Sequence, residues 1–146
     1  MNQTLAMFNQ AGAEKFSQLA CQMAPYFSSI APRFVTLEPG YAEVRFEKTR
    51  AVENHLGTVH AIAMCNAAEL AAGTMTQASL PDGMRWIPKN MQVSYLAKAK
   101  TGLRAVANGR DIDFSQAGDK DITVNLLDDS DKEVCRIVIT MDVRAA

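Results

Sequence analysis

The chain has 146 residues, 48% of them apolar and 21% charged, with a formal net charge of −1 and a pI near 6.1. Those totals describe one soluble domain large enough to bury its own core. They exclude the basic face that nucleic-acid binding requires.

Three cysteines, Cys21, Cys65 and Cys135, are odd in number and far apart, with no CxxC pair. Neither a metal site nor a disulfide framework is expected, and a reducing cytoplasm is the natural setting. The opening MNQTLAMFNQAGAEKF has no basic start followed by a long apolar core, as a secretion signal would. No apolar run approaches the roughly 20 residues that span a bilayer, so no membrane association is expected.

Residues 4–24 read as one amphipathic helix: Leu5, Phe8, Phe16, Leu19, Ala20 and Met23 share a stripe, Thr4 is a candidate cap, and Pro25 follows. Its polar face carries only Glu14 and Lys15 as charges, which suits packing on the domain better than lying on anionic lipid. Beyond Pro32 the period becomes two. In YAEVRFEK, Ala42, Val44 and Phe46 alternate with Glu43, Arg45 and Glu47, a half-buried strand.

A polar loop from Arg50 to Gly57 leads into a helix over about residues 59–77. Between Ala61 and Gly73 only Asn66 and Glu69 are strongly polar, and alanines stand at 67, 68, 71 and 72. A helix apolar nearly all round is enclosed by its surroundings. Here a curved sheet is expected to wrap it.

LPDGMRW reads as a turn-rich break, and strands follow over residues 90–143. Met91, Val93 and Tyr95 alternate, then Leu103, Ala105 and Ala107, then Ile122, Val124 and Leu126. Asp128 to Lys132 make a hairpin turn, and Cys135, Ile137, Ile139, Met141 and Val143 face one way in the last strand. The fold class is therefore α+β: a single domain, 1–146, with one antiparallel sheet curved around one long buried helix and an extra N-terminal helix.

The chemistry concentrates in NHLGTVHAIAMCNAAELAAG, residues 54–73, which holds both histidines and the one carboxylate of the buried helix. An unpaired buried carboxylate is costly and needs a reason. One bland reason is an ion pair with Arg45, Arg85 or Arg104. Likewise, His60 at a helix start could be a cap, His55 and Asn54 loop residues, Met64 and Met75 core filler, and Lys98 and Lys100 a solvated face.

The segment resembles the hotdog-fold acyl-CoA thioesterases, in particular the phenylacetate-pathway (PaaI-like) and 4-hydroxybenzoyl-CoA thioesterase branches. Those carry N-x-x-G-x-x-H-G-G followed by an apolar helix with an Asp or Glu. Here Asn54, Gly57, His60 and Glu69 fall at matching positions, while Ala61 and Ile62 replace the glycine pair. A second likeness is VSYLAKAKTGLRAVA, Val93 to Ala107, to the family's F-L-R-P-A-x-x-G-x-L-x-A, with Lys98 near the usual proline.

The resemblance implies hydrolysis of an acyl-CoA or acyl-carrier-protein thioester, with no cofactor. Glu69 would be general base or nucleophile, and the backbone N–H near Ala61 at the helix N-terminus the oxyanion donor. Asn54 and His60 would orient the reacting groups, and His55, Gly57 and Tyr95 would meet substrate. In this family the carboxylate and the oxyanion donor of one site come from different subunits, so a homodimer, or a homotetramer built from dimers, is implied. Two alternatives stay open. One is a hotdog protein that binds acyl-CoA or a fatty acyl group without turnover. The other is a hotdog dehydratase or hydratase using His55 and Glu69, although HLGTVHAIA lacks that group's prolines.

Overall fold

The computed structural model describes residues 2–146. The N-terminal amphipathic stretch is two helices, α1 (Gln3–Ala11) and α2 (Ala13–Met23), rather than the single expected helix. Gly12 separates them with φ +82°, a left-handed conformation that glycine adopts without a side-chain clash. Both helices pack on the domain through an edge-to-face chain, Phe8 to Phe16 at 5.3 Å and Phe16 to Phe34 at 5.0 Å between ring centroids. The buried Ser17 hydroxyl accepts the Phe34 N–H at 2.8 Å and donates to the Ala13 carbonyl.

A 3₁₀ turn at Pro25–Ile30 leads to β1 (Arg33–Glu38) and β2 (Tyr41–Phe46). The long helix α3 spans Ala61–Ser79, and β3 (Met84–Tyr95), β4 (Leu103–Asn108), β5 (Gly118–Leu127) and β6 (Glu133–Ala145) follow. All six strands form one antiparallel sheet in the order β1-β2-β4-β5-β6-β3. That sheet curves around α3, which touches every strand. Its concave face carries Ala42, Val44 and Phe46, then Ile122, Val124 and Leu126, then Ile137, Ile139, Met141 and Val143, none with any exposed surface. Met75 lies at 0% exposure and Met64 at 5%, so both methionines fill core.

Two strands depart from expectation. β1 was not legible, because a bulge between Phe34 and Thr36 interrupts its alternation. β3 begins at Met84, inside the stretch read as a turn, and its register shifts between Pro88 and Asn90. It is an edge strand, which is where a proline is tolerated. Among the described residues no helix is long and apolar enough to cross a membrane.

Candidate active site

The loop ahead of α3 is built by Asn54. Its side-chain oxygen accepts the N–H groups of Leu56 (2.9 Å) and Thr58 (3.1 Å), and its amide nitrogen donates to the Thr58 hydroxyl at 2.9 Å. The backbone closes on itself, with Asn54 N–H to the Thr58 carbonyl and Gly57 N–H to the Asn54 carbonyl. Gly57 sits at φ +76°, which explains a glycine there without any appeal to substrate. Val59 donates to the Ala99 carbonyl and His60 to the Val52 carbonyl, so two neighbouring loops hold the entry to α3.

His60 is the N-cap of α3: its Nδ1 accepts the Ile62 N–H at 3.0 Å. An accepting Nδ1 leaves the ring proton of the neutral imidazole on Nε2. The cap satisfies one of the free donors at the helix start and leaves the Ala61 N–H with no acceptor among the described residues. Ala61 therefore presents a free donor at the positive end of a 19-residue helix.

Glu69 lies on the outward stripe of α3 and is half-buried. Among the described residues its carboxylate makes no ion pair and no hydrogen bond. Arg45 pairs instead with Glu47 and Asp129, and Arg104 with Glu43 and Asp131. Glu69 is the one carboxylate lining a cavity of about 430 Å³ whose walls are mostly apolar: Met7, Phe16, Met23, Phe27, Leu70 and Trp86 among them. The share of that wall given by α1 and α2 was missed in the sequence; the amphipathic stripe of residues 5–23 was its signal, read there only as packing.

One turn before Glu69, Asn66 is 6% exposed. Its amide nitrogen donates to the Ser29 hydroxyl at 3.1 Å, while its buried oxygen has no partner among the described residues.

Asn54, Gly57 and His60 are brought together on one loop. His55 and Gly57 are exposed there, and Tyr95 is 64% exposed at the end of β3, although it stays in register opposite the buried Cys135. Glu69 is not brought to Ala61. Eight residues of helix separate them, about 12 Å of rise and about 80° of rotation. No single carbonyl can touch both in one subunit, since near-attack geometry needs about 3 Å to each.

Known proteins share this fold. A structural-genomics crystal structure is 57% identical, covering 99% of this chain and 98% of that one, with a TM-score of 0.91. A Pseudomonas aeruginosa protein of unknown function, described as a probable thioesterase, shares 21% identity over 92% of this chain and 100% of its own, with a TM-score of 0.80. A Staphylococcus aureus thioesterase shares 14% over 83% of this chain and 99% of its own, with a TM-score of 0.73. No curated protein matches the chain. The low-identity likenesses establish the thioesterase-type hotdog fold. The profile of one family, a domain of unknown function designated DUF4442, matches residues 12–143, and the chain is a hotdog-fold member of that family.

Proposed function

We propose that the protein hydrolyses an acyl-CoA thioester, with Glu69 as the base that activates water or as the nucleophile. The observation that carries this reading is an unpaired, half-buried carboxylate at an apolar cavity, on a helix whose first N–H is free. The Ala61 N–H would bind the thioester oxygen as charge builds on it. Glu69 would take a proton from the attacking water, and the thiol would leave protonated. If Glu69 attacks directly, a mixed anhydride forms first and water then opens it.

The 12 Å between Ala61 and Glu69 supports a site shared by two subunits, each giving one of the two groups. Asn54 and His60 act by holding the loop and the helix start. The S. aureus structure comes in two alanine variants, one of a glutamine and one of a glutamate fifteen residues further on, the separation of Asn54 and Glu69. That spacing agrees with a paired role. Arg50, Lys98 and Lys100, exposed and without an ion pair among the described residues, stand on the two loops joined by the Val59–Ala99 bond and suit a phosphate-bearing carrier.

A second reading is ligand binding without turnover, favoured by the β-carbons of Ala61 and Ile62, where a glycine pair would let a thioester approach closely. His55, exposed on its loop, gives the hydratase alternative no comparable support. Thiol release from acyl-CoAs and from acyl-pantetheines, by wild type and Glu69→Ala, tests the proposal. Turnover that needs Glu69 and favours the CoA form is expected. Ligand-induced stabilisation without thiol release would favour binding alone.

A further inference from the structure

The cavity beside Glu69 has a direction. On α3 its wall runs Glu69, Leu70, Gly73, Thr74, Gln77 toward the helix C-terminus, eight residues or about 12 Å. Gln77 marks the far end, where its side-chain oxygen accepts the Trp86 indole N–H at 2.7 Å. There the Asn2 side chain also donates to the carbonyls of Gln77 (2.7 Å) and Leu80 (3.1 Å), pinning the start of α1 across the end of α3. The facing wall comes from α1, α2 and the turn after them, with Trp86 and Pro88 of β3 closing one side.

Resting on the thioester-hydrolysis reading above, we infer that this groove takes the acyl group, and that the acyl group is a straight aliphatic chain of about eight to twelve carbons, not an aryl group. An extended chain of single bonds advances about 1.2 Å per bond, since three backbone bonds span at most about 3.6 Å. The 12 Å from Glu69 to Gln77 thus takes about ten bonds. A methylene displaces roughly what a water does, about 30 Å³, so a cavity of about 430 Å³ holds such a chain.

The lining suits a flexible guest. Met7 and Met23 are unbranched and conform to whatever lies on them. An aryl group would leave much of the 12 Å length unfilled.

The test is thiol release across acetyl- to palmitoyl-CoA with benzoyl-CoA, alongside calorimetric binding of decanoate. Both are run on wild type, Thr74→Phe, Ala20→Phe and Glu69→Ala, each checked for folding by circular dichroism. Wild-type kcat/KM is expected to rise about fourfold per methylene and to flatten beyond dodecanoyl-CoA. Thr74→Phe, about 7.5 Å along the helix from Glu69, moves the optimum to four to six carbons and weakens decanoate binding at least tenfold. Ala20→Phe does the same from the facing wall. Glu69→Ala loses turnover and keeps decanoate binding.

A preference for benzoyl-CoA, or a chain-length profile that neither phenylalanine moves, overturns the inference. A wild type that releases no thiol, yet binds decanoate in a manner that Thr74→Phe abolishes, upholds the groove and sinks the hydrolase reading instead.

Discussion

Trp86 lies so close to α3 that a β-carbon at Gly73 would sit 2.8 Å from its Cη2, closer than such atoms approach. The glycine is there for packing, since its backbone is helical and its φ needs no special residue. The indole, held by Gln77, closes one side of the cavity only because nothing projects from position 73.

Gly73→Ala must therefore displace the ring. Overpacking of this kind costs about 1–3 kcal/mol, offset in part by alanine's better helix propensity, worth about 1 kcal/mol. A net loss of Tm with a shifted tryptophan emission is expected. An unchanged emission spectrum would mean that the ring is not seated on Gly73.

Asn54 is a loop-builder by its hydrogen bonds. Asn54→Ala leaves the Leu56 and Thr58 N–H groups without their acceptor, a loss of about 1–2 kcal/mol, whereas Asn54→Asp keeps an acceptor oxygen in place. Tm and kcat/KM are expected to fall together in the alanine variant and to recover together in the aspartate variant. An aspartate variant that is stable but as slow as alanine would assign the amide nitrogen a direct part in the chemistry.

Cys135, wholly buried on β6, has its thiol pushed up from 9.0 to about 11 by burial first, then by Cys65 and Glu133. The sign follows from proton counting. Between pH 9 and pH 11 the unfolded chain loses this proton while the folded chain keeps it, so the unfolded state binds fewer protons and stability falls as pH rises. The contribution is complete below about pH 9 and is lost toward pH 11, at a limiting slope of about 1.4 kcal/mol per pH unit. Denaturant midpoints of wild type and Cys135→Ala over that window are expected to converge as pH rises. Parallel curves would contradict the assignment.

The central helix and the loop before it were legible because their signals are local. His60 caps, the apolar run begins at Ala61, and Glu69 stands alone in it. The last strand was legible because Cys135 to Val143 alternate without interruption.

What escaped was set by tertiary context. Gly12 does not announce a break when helical residues flank it on both sides. The bulge at Phe34–Thr36 hides β1 from a period-two count. Tyr95 keeps its register opposite Cys135 and is still 64% exposed, because burial depends on what covers a face and not on alternation alone. The cavity could not be read at all, because its two walls lie some fifty residues apart and only folding brings Met23 and Phe27 to the same cavity as Glu69 and Leu70.

In the proposed mechanism Glu69 of one subunit and the Ala61 N–H of another act on the same thioester. Ala61→Pro removes that single donor with little other effect. Proline is favoured at the first helical position, and His60 already has the extended backbone (φ −65°, ψ 139°) that a residue before proline needs. The decisive measurement is thiol release from decanoyl-CoA by Glu69→Ala, by Ala61→Pro, and by the two variants unfolded and refolded together.

Each variant alone is expected to lose about 100-fold or more. The mixture should regain about a quarter of wild-type activity, because half its dimers pair unlike chains and each of those carries one intact site of two. A mixture as inactive as its parents, or an Ala61→Pro enzyme as fast as wild type, would contradict the shared site.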